Sequence, residues 1–151
     1  MNRIASFSVD HDKICEGMYI SRIDGDVTSF DLRTRRPNAG DYMDNITMHS
    51  VEHMLATYLR NGEIGPHVIY FGPMGCRTGF YLLTRDIDPV TVLNALKRAL
   101  ADTVAHEGAV FGATRRECGN YKELDIDAAK RECAAYLKIL EQHKGDFSYA
   151  E

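Results

Sequence analysis

The chain has 151 residues, 44% of them hydrophobic and 26% charged, with a formal net charge of -4. That length suits one domain over residues 1–151, and the acidic balance gives no reason to expect nucleic acid or an anionic membrane as a partner. No apolar run approaches the ~20 residues of a membrane span, and the first six residues lack the apolar core of a secretory leader. A cytoplasmic protein is expected, with Cys15, Cys76, Cys118 and Cys133 held as thiols.

Residues 17–34 read as a β-hairpin whose strands, 19–23 and 27–32, flank Asp24-Gly25 as a two-residue turn. Pro37-Asn38-Ala39-Gly40 breaks that pattern. A helix over about residues 46–60 should follow, closed by Asn61-Gly62 in a left-handed cap. Residues 68–71 and 80–83 read as strands around a glycine-rich loop, and Asp88-Pro89 opens a second helix that closes at Gly108. An irregular stretch from 109 to 121 precedes a third helix over about 125–143. Early strands and interspersed helices without a βαβ rhythm predict an α+β fold, an antiparallel sheet with helices packed on one face.

The first helix carries His49-Ser50-Val51-Glu52-His53. At 3.6 residues per turn His49 and His53 lie about 40° apart, so two imidazoles can reach one metal ion. Glu52 sits at the edge of that face, placed to move protons without being a ligand. Met48, Val51, Met54, Leu55, Tyr58 and Leu59 form the opposite, apolar stripe. The histidine face therefore needs cover from a loop, a ligand or another subunit. Among the remaining candidates for a third ligand, Cys118 in the loop Cys118-Gly119-Asn120 is better than His11, His67, His106 or His143, whose settings are ordinary. Two imidazoles and a thiolate suit zinc or iron(II) and leave a coordination position open. The pattern H-x-x-E-H is also the inverted zinc-peptidase signature, which would instead require a carboxylate as third ligand.

Cys76 lies in Gly72-Pro73-Met74-Gly75-Cys76-Arg77-Thr78-Gly79, where glycines leave a thiol accessible beside the cation Arg77. Beside this loop, followed by Phe80-Tyr81, and the HSVEH helix stand Ser6-Phe7, Asp10-His11, Phe30-Asp31-Leu32-Arg33 with Pro37-Asn38, and Cys118-Gly119-Asn120-Tyr121. In their order and spacing these blocks resemble the LuxS (S-ribosylhomocysteine lyase) family.

The resemblance implies an enzyme that cleaves S-ribosylhomocysteine to homocysteine and 4,5-dihydroxy-2,3-pentanedione, the autoinducer-2 precursor of quorum sensing. It implies a homodimer with its sites near the subunit interface. One divalent metal per subunit is expected on His49, His53 and Cys118, with Fe2+ as the usual ion and Zn2+ as a common replacement. Glu52 and Cys76 match the family's acid/base positions. Ser6, His11 and Arg33 match positions that contact the sugar, while Arg60, within about 20° of His49 on the helix wheel, could take the homocysteine carboxylate. Many relatives carry an aspartate six residues before the reactive cysteine; here that position is Tyr70, so the substrate's amino end must be met differently.

Overall fold

A computed structural model describes residues 1–150. After a single turn, α1 (Ala5–Ser8), the strands β1 (Gly17–Asp24), β2 (Val27–Arg33), β3 (Val68–Pro73) and β4 (Gly79–Arg85) form one antiparallel sheet in the order β1-β2-β4-β3. Three long helices, α2 (Asn45–Asn61), α3 (Pro89–Ala105) and α4 (Ile126–Glu141), pack together on one face. This is the expected α+β arrangement.

Side-chain alternation along β2 divides the molecule. Phe30 and Leu32 join Phe80 and Leu82 in a single core with Met54, Leu55, Leu96, Leu100, Tyr136 and Leu140 from the helices. Ser29, Asp31 and Arg33 point the other way and are buried as well. A strand with both faces covered needs material on the side away from the helices. The N-terminal residues and Tyr149 supply it, lining a cleft over that face.

Each long helix begins where an aspartate can cap it. Asp44, Asp88 and Asp125 accept from the backbone N–H of Thr47, Thr91 and Asp127. Burial of the apolar stripe then fixes α2, with Val51, Met54, Leu55 and Leu59 inside as read.

Three local expectations are corrected. Asp24 pairs with Val27, so the hairpin turn is Gly25-Asp26 and not Asp24-Gly25. Gly25 has φ +60°, the positive value a tight hairpin needs at its first central position, and this sets the register. The left-handed cap at Asn61-Gly62 does not form: Gly62 is extended, at φ -90° and ψ -171°. The chain instead passes through a 3-10 turn, Gly65–His67, directly into β3, whose start meets Arg60 at the end of α2. Finally, α3 ends at Ala105 rather than Gly108 because His106 leaves the helix at ψ 134° with its N–H on the Thr103 carbonyl.

Candidate metal centre and substrate cleft

His49 and His53 sit one turn apart on α2, half-buried, with ring centroids 4.6 Å apart. His49 Nδ1 lies 2.8 Å from the carbonyl of Glu123, and His53 Nδ1 lies 2.7 Å from that of Phe111. A carbonyl can only accept, so both Nδ1 atoms carry a proton, and in the neutral ring the lone pair is then on Nε2, the atom that can bind a metal. Cys118 Sγ is 3.4 Å from His49 Nε2 and accepts the N–H of Asn120 at 3.4 Å.

One ligand atom from each of His49, His53 and Cys118 lies within 4.8 Å of the others. In a tetrahedron with zinc-like bond lengths, ligand atoms stand roughly 3.3–3.7 Å apart, so the His49–Cys118 pair already has the required separation. Outer partners that hold the imidazoles and the sulfur are what a metal site needs. The donors fit a divalent ion of the zinc or iron(II) kind, and no carboxylate belongs to the group. Glu52 is half-buried on the same turn of α2, and its carboxylate makes no hydrogen bond or ion pair among the described residues.

The second cluster lies on the sheet. Arg33 forms a fork on Asp31, Nε to Oδ1 at 3.0 Å and Nη2 to Oδ2 at 2.6 Å, with both side chains buried. The remaining edge of the guanidinium faces the cysteine loop: Nη1 donates to Thr78 Oγ1 at 2.9 Å and stands 4.0 Å from Cys76 Sγ. Cys76 itself is exposed, with its sulfur 3.0 Å from Thr78 Oγ1. The cation beside Cys76 is therefore Arg33. Arg77 has φ +63°, which swings its guanidinium away over the ring of Tyr42, 5.9 Å from the centroid.

Ser6, His11, Arg33 and Tyr70 line one cleft of about 390 Å³ with Tyr81 and Tyr149. His11 Nδ1 is tied to the Val9 carbonyl at 2.9 Å, which leaves its Nε2 free. Tyr149 donates to Asp31 Oδ2 at 2.7 Å and stacks on Tyr19. Burial first, and then the charge of Asp31, push the Tyr149 phenol upward, so it remains a donor at any physiological pH. Arg60 stands apart from this group. Its Nη2 donates to the Ile69 carbonyl at 2.9 Å and so ties α2 to the start of β3.

Asp31, Thr78 and Tyr149 were not singled out in the sequence. Asp31 had a signal, since a carboxylate two residues before Arg33 on one strand shares its face. Nothing in the sequence marked Tyr149, 118 positions from Asp31.

Cys133 is the inert counterpart of Cys76. Burial, reinforced by the charge of Glu132, pushes its thiol up to about 12. At pH 8 Cys133 should therefore resist limiting iodoacetamide while Cys76 is alkylated. Peptide mass spectrometry reads the order, and early labelling of Cys133 in folded protein would contradict it.

An α+β domain with a two-histidine, one-cysteine ligand group defines a class of candidate metal-dependent enzymes. The sequence model described as S-Ribosylhomocysteinase (LuxS) matches residues 4–146, and the chain belongs to that family. It is 40% identical to the S-ribosylhomocysteine lyase of Borreliella burgdorferi (strain ZS7) over 150 residues, covering 95% of this chain and 96% of that one. The corresponding protein of Finegoldia magna is 40% identical over 149 residues, with 95% of each chain covered. That of Clostridium beijerinckii is 42% identical over 139 residues, with 86% of each covered.

Proposed function

We propose that this chain is an S-ribosylhomocysteine lyase, releasing homocysteine and 4,5-dihydroxy-2,3-pentanedione. The observation that carries the reading is the ligand group itself: two histidines locked as Nδ1–H tautomers by backbone carbonyls, with a cysteine beside them. Among the described residues no helix is long and apolar enough to cross a membrane. A cytoplasmic setting belongs to the reading, since all four cysteines are free thiols.

The substrate's thioether leaves only when a carbonyl stands beta to it, so the aldose carbonyl must migrate from C1 to C3. His49, His53 and Cys118 would hold a divalent metal, Fe2+ or its replacement Zn2+, which when bound would supply Lewis-acid chemistry at the sugar. Each migration removes a proton from one carbon and returns one to its neighbour, while a proton passes between the two oxygens. Glu52 and Cys76 are the groups we assign to these transfers. The elimination takes a proton from C4 and expels the homocysteine thiolate from C5, which then takes up a proton; the resulting enol is protonated at C5 and gives 4,5-dihydroxy-2,3-pentanedione. Ser6, His11 and Arg33 bind the sugar from the cleft. Arg60, whose Nη1 and Nη2 turn to the carbonyls of Val68 and Ile69, would take the carboxylate with the N–H groups that these leave. Tyr70, half-exposed in the cleft, offers a phenol in place of a carboxylate at the amino end.

Free thiol released from S-ribosylhomocysteine by anaerobically purified, metal-loaded protein tests the reading. Peptide hydrolysis without thiol release would favour the inverted-motif metallopeptidase. Glu52→Gln and Cys76→Ala should each keep the metal and lose turnover by about 10²–10⁴-fold, because they move protons and do not coordinate. Metal analysis on the same samples checks the separation; a Glu52→Gln protein without metal would make Glu52 a support of the ligands instead.

We further propose a homodimer in which each site is completed across the two-fold axis. His49, Glu52, His53 and Cys118 lie between α2 and the 109–125 segment, whereas Arg33, Ser6 and His11 line a cleft on the sheet face away from the helices. No hydrogen bond joins the two groups within the described residues of one chain.

A further inference from the structure

The segment between α3 and α4 has no helix or strand, yet it supplies the carbonyl that orients His53. So long an irregular connection needs something to hold it in place. The first residue beyond α3, His106, does so with both ring nitrogens. Its Nε2 lies 2.9 Å from the carbonyl of Ala109, which can only accept, so Nε2 carries the proton. In the neutral ring its Nδ1 then accepts, and the donor is the hydroxyl of Tyr58 on α2, at 2.8 Å.

Phe111 closes the arrangement from the other side. Its ring meets His106 edge-on at 4.7 Å between centroids and Tyr58 at 5.2 Å. The carbonyl of the same residue then accepts from His53 Nδ1. The next residue, Gly112, has φ +67°, and a Cβ there would stand 3.3 Å from His53 Nδ1. The corner is thus shaped against the imidazole by a backbone conformation and a clearance that favour glycine.

We propose that Tyr58 and His106, acting through the Phe111 carbonyl, are positioning residues for the metal ligand His53. Two points on α2, His53 and Tyr58, are bridged by one short stretch of loop, so the imidazole's orientation is referenced to its own helix. The sequence marked neither residue: Tyr58 read as part of the apolar stripe and His106 as an ordinary histidine. Outer partners of a metal-bound imidazole are typically worth 10–100-fold in metal affinity. One step further out, the expected loss is about tenfold.

The inference rests on the metal-site reading, and cobalt(II) is the probe that separates the two. Tyr58→Phe keeps the ring packing and removes only the hydroxyl. His106→Gln keeps a donor and an acceptor on a side chain of similar reach, while His106→Ala removes both. Cobalt(II) affinity, measured by chelator competition, should fall about tenfold in Tyr58→Phe and His106→Ala, with less loss in His106→Gln. The ligand-field band of the cobalt protein should shift as well, and apo-protein melting of Tyr58→Phe should stay near wild type. Unchanged affinity and spectrum in Tyr58→Phe would overturn the proposal, whatever happens to melting, and would leave the pair a plain loop anchor. His106→Ala failing to fold leaves Tyr58→Phe and His106→Gln to decide. A folded wild-type chain that binds no cobalt(II) would overturn the metal reading first, and this inference with it.

Discussion

Cys118→Ala is expected to abolish thiol release from S-ribosylhomocysteine and to leave the purified protein largely without metal. The group that could hold the metal has three members, with no fourth side chain grouped with them among the described residues. A structural zinc held by four ligands is worth about 10–16 kcal/mol, so one ligand carries roughly 3 kcal/mol, on the order of a hundredfold in affinity. The thiolate also neutralises half of the ion's charge, which neither imidazole can do. His49→Ala and His53→Ala should behave alike. In the His53 variant the Phe111 carbonyl loses its donor, and in the His49 variant the Glu123 carbonyl does. Metal content by elemental analysis, read against circular dichroism, separates loss of the ion from loss of the fold. Full metal and full turnover in Cys118→Ala would take Cys118 out of the site.

That a group able to hold a metal could be read from the chain at all has a physical basis. His49 and His53 are related by one helical turn, and local spacing of that kind survives any tertiary arrangement. The sheet was legible for a similar reason, since β2 alternates Phe30 and Leu32 with Ser29, Asp31 and Arg33. What could not be read are contacts between distant segments. The carbonyls of Glu123 and Phe111 bear no residue-type mark, because any residue offers a carbonyl. Arg33 rather than Arg77 stands by Cys76 because the sheet register brings β2 next to the cysteine loop, with Arg33 opposite Gly79. The helix ends slipped for a related reason. Gly62 and Gly108 are permissive signals, and at both places the path of the following chain decided the conformation.

Mixing two inactive chains should restore activity. If each site takes His49, His53 and Cys118 from one subunit and Arg33 from the other, an Arg33→Ala chain and a Cys118→Ala chain have complementary defects. Arg33→Ala is expected to be inactive for two reasons. It removes the guanidinium edge that faces Thr78 and Cys76, and it leaves the buried Asp31 carboxylate with Tyr149 as its remaining side-chain donor. Stranding a buried charge in this way costs about 3–5 kcal/mol. Arg33→Lys, which keeps a cation against Asp31, is therefore the companion variant if the alanine chain folds poorly. Unfolded at equal amounts and refolded together, half of the dimers formed by random pairing are mixed. Each mixed dimer holds one intact site and one that lacks both residues, so about a quarter of wild-type activity should return. Heterodimers are confirmed by separating differently tagged chains before the assay. The separation of the two clusters within one chain is what makes recovery the expected result, since neither defective chain can supply both halves. Confirmed heterodimers without recovered activity would mean that Arg33 serves the metal of its own chain, and the completion of the site across the two-fold axis would fail for that residue.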